Sequence, residues 1–472
     1  MSQPQPNPQP NPEPDTDPRA TMLGEPASAD ARPVRITAAL IADARREHTP
    51  GAMVLRPHDG RWRIEHIGHD SVVPEPDAAR RIDLGDAVVL PALVNAHTHL
   101  DLTAIGPRPH DPSEGFVPWA EMIRAARPTE PEAIADAVRG GVEASLAGGV
   151  AAVGDIAGAA RGRLTPTAAR VLAESPLVGV SFLEYFGIGT TAAKATERLA
   201  DFLRDELGPL ERIGAAGGVR IGLGPHAPNT VDRSLYRCSA DAAAARGLPI
   251  STHLAETPEE RAFVAEASGP QRDMLERFGM WDDSILDHIG AGAHPVEHLG
   301  DVLRRVPFLV AHANDAPDRA IEILAATGAS VAFCPRAHAC FGYARTLGPH
   351  RARAMRDAGV RVCLGTDSIV NLDTPDRISV LDEMRVLHAQ GGWTRRELIA
   401  MASVEGAGAL DLDPPAYELT RGNTPRGVIA IRADSLGDGP ISPDERWDEA
   451  MSGGGAPVWV MRNAPEGACS SD

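Results

Sequence analysis

Two histidines, His97 and His99, stand two residues apart at the end of an apolar run, VVLPALVNAHTHLD, from Val88 to Asp101. Along a strand successive side chains alternate faces, so an i, i+2 pair points the same way and can grip one metal ion. A strand that buries its body and ends in His-x-His suits the start of a metal site at a barrel mouth. The alternative is an incidental histidine pair near a strand end. Further along, apolar runs end at His226, His253, His312 and Asp367. Five of the 16 histidines at such run ends is a concentration that core packing does not require. Three histidines and an aspartate form a nitrogen/oxygen shell suited to Zn²⁺ or Fe²⁺. The segment STHLAE adds Glu256 three residues past His253, where a carboxylate can move protons without holding the metal. Its other reading is a charge at a helix N-terminus, a role that Glu259 and Glu260, after Thr257-Pro258, suit better.

The elements that must carry these residues are legible as alternating apolar runs and helical stretches. Eight runs occur, one ending at His99 and the others at 150–156, 177–186, 219–226, 249–253, 308–312, 329–334 and 360–367. Helix-like segments fall at 132–146, 192–207 and 235–246, and another, 376–388, follows the last run. Eight strand–helix units in this span predict an α/β fold, a (β/α)8 TIM barrel, whose active sites lie at the C-terminal ends of the strands. A doubly wound open sheet is the alternative. It would want a glycine-rich phosphate loop after an early strand, and no GxGxxG stands there.

Short alternating runs at 36–41, 52–55 and 62–67, the last two separated by an Asp59-Gly60 turn, read as small β-structure. Similar runs return at 428–431 and 458–461. The domain expectation is therefore a small β-sandwich from 33–90 and 416–465 flanking a barrel at 91–415. Residues 1–32, dominated by Pro, Asn, Gln and Asp, are expected to be a disordered tail, and 466–472 a second tail.

The chain of 472 residues is long enough for one large core and a satellite, and 43% hydrophobic residues fit a globular protein. A formal net charge of −19 argues against nucleic acid or an anionic membrane as partner. No run approaches the roughly 18 apolar residues of a membrane span, and the N-terminus has no apolar signal core. The five cysteines contain no CxxC pair, which disfavours a disulfide framework or a thiolate zinc site. A cytoplasmic enzyme acting on a small molecule is the expectation, with homodimer formation left open.

The motifs in order, HTH at His97 and His99, GPHAPNTV at His226, THLAET at His253 and Glu256, AHAN at His312, FCPRAHACFG from Cys334 to Gly342 and LGTDSIVN at Asp367, resemble the amidohydrolase superfamily. Within it they are most similar to the metal-dependent deaminases of S-adenosylhomocysteine, aminodeoxyfutalosine and related adenine compounds, alongside triazine chlorohydrolases. The resemblance runs from about Val34 to the C-terminus. It implies His97, His99, His253 and Asp367 as metal ligands, Glu256 as proton shuttle, His312 as the histidine orienting the attacked group, and His226 as a substrate contact. A branch of the superfamily bridges two metals with a carboxylated lysine. The only lysine here, Lys194, falls in a predicted helix, so one divalent transition metal is expected, zinc ahead of iron.

Departures bear on substrate. The CPR-S-N pattern of the group is CPR-Ala337-His338 here, a form associated with aminodeoxyfutalosine deaminase-like members, and FVPWAE around Trp119 looks like theirs. The ribose-gripping glutamate of the S-adenosylhomocysteine deaminases is replaced by Pro128. Trp119, Glu184, His226 and His338 are the candidate substrate contacts. The resemblance implies hydrolytic deamination of an adenine-containing nucleoside-like compound. A chlorohydrolase or guanidine/amide hydrolase on the same metal site is the alternative. A non-catalytic scaffold is a third, although neither a ligand position nor Glu256 is lost.

Overall fold

The computed structural model describes residues 21–26, 31–160, 162, 164–432 and 442–464. Eight parallel strands organise it: β1 (Leu93–Thr98), β2 (Val150–Ala157), β3 (Val178–Tyr185), β4 (Val219–Pro225), β5 (Ser251–Leu254), β6 (Leu309–His312), β7 (Ser330–Phe333) and β8 (Arg361–Leu364). They form two four-stranded sheets, in the orders β4-β3-β2-β1 and β5-β6-β7-β8. Isolated parallel bridges join the sheets at both sides: Leu223 pairs with Ile250 just before β5, and Thr98 pairs with Asp367 just after β8. Every residue of β2 and β3 is buried. Parallel strands covered on both faces need such near-continuous apolar sequence.

The helices between the strands follow their sequence signals. Pro131–Ala147 starts with proline at its first position and buries Ile134, Val138, Val142 and Leu146 against the sheet. Arg233–Arg246 is capped by Asp232, whose side chain accepts from the Ser234 amide, and stops at Gly247 in the left-handed region (φ 66°). Each fully buried leucine or valine in these faces contributes about 1.5–3 kcal/mol, so burial of the apolar stripe, more than helix propensity, fixes each helix on the sheet.

Two further sheets come from both ends of the chain. One runs Thr21–Leu23, Val458–Arg462, Gly427–Ile431, Val88–Pro91, Leu40–Ala42, Glu47–His48; the other runs Arg61–His69, Gly51–His58, Val34–Ala38, Arg80–Asp83. Ile36, Leu55, Ile64, Val89, Val428 and Val460 share one buried cluster. The expected turn at Asp59-Gly60 is present, both residues having positive φ (50° and 74°).

Two expectations need correction. The stretch leading to His97 is not one strand: the Ala92 amide bonds to the Gly427 carbonyl, whereas the Leu93 amide bonds to that of Gly149. Val88–Pro91 thus serves the end sheet and Leu93–Thr98 the eight-stranded set. Nor is the N-terminal stretch structureless throughout, because Thr21–Leu23 pairs with Trp459 and Met461 and Leu23 is buried. Residues 1–20, 27–30 and 465–472 lie outside the described residues. None of the described helices is long and apolar enough to cross a membrane.

Candidate active site

The seam between β1 and β8 brings the two ends of the eight-stranded set together. Asn95 at the middle of β1 donates through Nδ2 to Thr366 Oγ1 (2.8 Å) and accepts through Oδ1 from the Thr366 amide (3.1 Å). The Asp367 amide bonds to the His97 carbonyl (3.1 Å), and Thr98 Oγ1 donates to the Asp367 carbonyl (3.1 Å). A Cβ on Gly365 would lie 2.8 Å from His97 Cβ, so only glycine permits this approach. The result sets Asp367 Oδ1 3.4 Å from His99 Nε2 and 3.9 Å from His97 Nε2. The turn after His99 is held by Asp155 at the end of β2, whose Oδ1 accepts from the Leu100 amide (3.0 Å).

From the facing strands come His253 and His312. His253 Nδ1 faces the His226 carbonyl at 3.3 Å, and its Nε2 lies 3.3 Å from His99 Nε2. Donor atoms of His97, His99 and Asp367 all lie within 4.8 Å of one another, as do those of His97, His253 and His312. Both ring nitrogens of His97 and Nδ1 of His99 are buried without a hydrogen-bond partner among the described residues. Burial, then repulsion from neighbouring histidines, holds His97 and His99 well below the usual imidazole range, so both are neutral with lone pairs available. A buried polar group left unpaired costs about 1–3 kcal/mol, and nitrogen and carboxylate donors converging in this way fit a transition metal.

Glu256 sits beside this cluster, its Oε1 3.6 Å from His312 Nε2. Burial raises its carboxyl well above the ordinary range, with the charges of Asp367 and Glu260 adding to the effect. The backbone around it is tightly determined. Glu260, in the first turn of the helix Pro258–Glu266, folds back so that Oε1 accepts from the Ala255 amide (2.8 Å) and Oε2 from the Glu256 amide (2.7 Å). Asn314 Nδ2 donates to the Glu256 carbonyl (3.1 Å). Thr257 caps the helix, and Glu259 accepts from the Phe116 amide (3.0 Å) instead of serving only its own helix. Ala255, His312 and Asp367 all hold positive φ (53°, 72° and 58°). For residues other than glycine this is strain of order 1–3 kcal/mol each, sustained where packing over-determines the conformation.

The remaining sequence candidates divide. His226 stands next to His253, ring centroids 4.9 Å apart. Trp119 is buried in an aromatic cluster against Phe341 and His110. His338 is buried and hydrogen-bonds Asn314. Glu184 is shared: its Oε2 accepts from Arg127 (3.1 Å), which also binds Asp101 (2.7 Å), while its Oε1 lies 3.9 Å from His226 Nε2, and its donor atoms group with those of His226 and His253. Lys194 is exposed on the helix Ala192–Asp201, clear of the metal-type cluster. Sequence reasoning missed Arg127, Asp155, Glu260 and Asn314. Asp155 ends an apolar run and could have been flagged on that ground; Arg127 carried no such signal.

Comparison with known proteins adds to this geometry. The model of the amidohydrolase family matches residues 88–424. An aminodeoxyfutalosine deaminase of Deinococcus radiodurans is 32% identical over 305 residues, 61% of this chain and 65% of that protein, so this chain spans just under two thirds of its length. A 5-methylthioadenosine/S-adenosylhomocysteine deaminase of Symbiobacterium thermophilum is 27% identical over 373 residues, 76% of each chain. Among solved structures, the aminofutalosine deaminase of Helicobacter pylori superposes with a TM-score of 0.65 at 22% identity, covering 84% of this chain and 92% of its own.

Proposed function

Because the chain belongs to the amidohydrolase family, we propose that it is a metal-dependent hydrolase that deaminates an adenine-containing, nucleoside-like compound and releases ammonia. Aminodeoxyfutalosine is the first candidate substrate, followed by S-adenosylhomocysteine and adenosine types, in line with the activities named for the relatives. The single observation that carries the reading is Glu256: a buried carboxyl with a raised pKa, against His312, beside the His97–His99–His253–Asp367 cluster.

His97, His99, His253 and Asp367 would hold one divalent transition metal; this donor set accepts both zinc and iron, and zinc is put first. When bound, the ion supplies Lewis acidity that lets water ionise near neutral pH. Asp367, a largely buried carboxylate 3.4 Å from His99, takes the proton of the attacking water. As the C–O bond forms at the amine-bearing ring carbon, protonated Glu256 gives its proton to the ring nitrogen. His312, kept neutral by burial and neighbouring histidines, steadies the charge that develops there. The Glu256 carboxylate then moves the new hydroxyl's proton to the amine. The C–N bond breaks, ammonia leaves, and a ring carbonyl remains. Transfer of the Asp367 proton to Glu256 restores both groups.

Trp119, His226 and His338 line the substrate side in this reading, and Glu184 acts through Arg127 and His226. The eight-stranded set is read as a (β/α)8 barrel over 91–415, with the end sheets as a small β-sandwich from 33–90 and 416–465 to which Thr21–Leu23 adds. The protein is proposed to work in the cytoplasm on a small molecule, without nucleic acid or membrane, as a monomer or homodimer. The test is ammonia release from a panel of aminopurine compounds with elemental analysis of the same sample. One metal per chain and turnover of at least one adenine compound are expected. Two metals, no metal after careful purification, or chloride release from a triazine without ammonia from any purine would sink the reading.

A further inference from the structure

Two buried polar atoms have no hydrogen-bond partner among the described residues and no proton-transfer role above: Nε2 of His338, a residue already read as lining the substrate side, and the hydroxyl of Tyr343. The residues are only 7% and 4% exposed, and their rings meet edge-on with centroids 5.9 Å apart. The neighbours settle which proton His338 carries. Asn314 spends its amide nitrogen on the Glu256 carbonyl (3.1 Å), so its oxygen faces His338 Nδ1 (3.1 Å), which must therefore be the N–H. Burial pushes the imidazole down to about 4, so the ring is neutral and Nε2 presents a bare lone pair. His350, the other ring beside it, cannot answer: its Nε2 meets the His312 carbonyl (2.8 Å) and its Nδ1 accepts from the Ala352 amide (3.0 Å).

Tyr343 stacks on Phe341 (5.4 Å, 23°), and Phe341 packs edge-on against Trp119 (5.4 Å). Burial, and after it the neighbouring carboxyl groups, keeps its phenol protonated. A lone-pair acceptor and a hydroxyl, both buried, stand beside an aromatic wall, and Asn314 ties His338 to the backbone of Glu256. Neither atom bonds the other or any other described residue.

We propose that His338 Nε2 and the Tyr343 hydroxyl form a recognition pair for one hydroxyl of the substrate, Nε2 accepting its O–H and the phenol donating to its oxygen. This rests on the deaminase reading and narrows it: the enzyme selects nucleosides with a free sugar hydroxyl over the analogue lacking it. A site built to hydrogen-bond a hydroxyl rejects the analogue without it because its own groups are then left unpaired.

The experiment compares adenosine with its 2′-, 3′- and 5′-deoxy analogues on the wild type, Tyr343→Phe and His338→Asn. The first variant deletes only the hydroxyl. The second keeps a donor where Nδ1 stood and removes Nε2. The wild type is expected to favour adenosine over one deoxy analogue by roughly 10- to 100-fold in kcat/KM, and each variant to bring that ratio within about threefold. Equal use of all four compounds by the wild type, or a ratio that survives in both variants, overturns the pair while leaving the deaminase reading intact. A surviving ratio in Tyr343→Phe with only a lower Tm marks a fixed water between the two groups and also overturns it. If no purine releases ammonia, the deaminase reading falls and calorimetric binding of the same four nucleosides decides the pair. A hydroxyl preference lost in the variants supports it, and binding without preference, or no binding, removes it.

Discussion

Replacing Glu260 by glutamine tests how Glu256, the proposed proton shuttle, is held. In the structure the two carboxylate oxygens of Glu260 each accept one backbone N–H, from Ala255 at 2.8 Å and from Glu256 at 2.7 Å. Glutamine keeps the shape but turns one acceptor into a donor facing an N–H. One buried amide then loses its partner, at a cost of about 1–3 kcal/mol. Burial pushes the Glu260 carboxyl up to about 7, so the native group is itself partly protonated near neutrality, which favours the lower half of that range. Ala255, at φ 53°, is strained by a similar amount, so the turn has an incentive to relax once a clamp is gone. A shift of about 1 Å at a catalytic group can cost about 100-fold. Glu260→Gln is therefore expected to lower kcat by roughly 10- to 100-fold, with KM little changed, full metal content and a Tm a few degrees lower. Glu259→Gln is the control, because that carboxylate serves the Phe116 amide and not the Glu256 turn. The measurements are steady-state kinetics, calorimetry and elemental analysis on both variants. A metal-loaded Glu260→Gln protein with kcat within twofold of wild type and an unchanged Tm would refute the reasoning. The Asn314 bond to the Glu256 carbonyl and the Asp315 amide bond to the Ala255 carbonyl (2.9 Å) would then suffice to hold the turn.

Glu256→Gln is expected to lower kcat by roughly 100-fold or more at unchanged metal content; near-normal turnover in the loaded variant would remove the proposed acid. Asp155, buried with Oδ2 unpartnered, is pushed up to about 8 by burial, so the folded state holds its proton more tightly than the unfolded chain does. That stability is fully present below about pH 4 and is lost as pH rises toward the folded value. Asp155→Asn should accordingly flatten the fall in Tm between pH 5 and 8, and parallel Tm curves would count against it. Deleting residues 1–20 should leave turnover and Tm close to wild type. Extending the deletion through Gly24 removes buried Leu23 and the carbonyl that accepts Trp62 Nε1 (2.8 Å). That should cost about 1.5–3 kcal/mol, and equal melting of the two truncations would show that the strand adds nothing.

The sequence by itself determined where strands end and which side chains stand there. His97 and His99 share a face because strand side chains alternate, and His226, His253, His312 and Asp367 each fall on or within three residues of the end of a buried apolar run. Local periodicity carries that information, since strands covered on both faces read as near-continuous apolar runs up to the mouth. What the sequence could not carry is partner choice across long separations. Asn95 finds Thr366 across 271 positions, and Glu184 is neutralised by Arg127 across 57; no period in the chain encodes either pairing. Thr21–Leu23 is too short to show a period, and its strand exists only because Val458–Arg462 offers it an edge. The positive φ of Ala255, His312 and Asp367 is likewise invisible in residue types that ordinarily avoid it. Such conformations form only when the surrounding packing leaves no alternative, so the aim of Glu256 and Asp367 was decided by the folded structure.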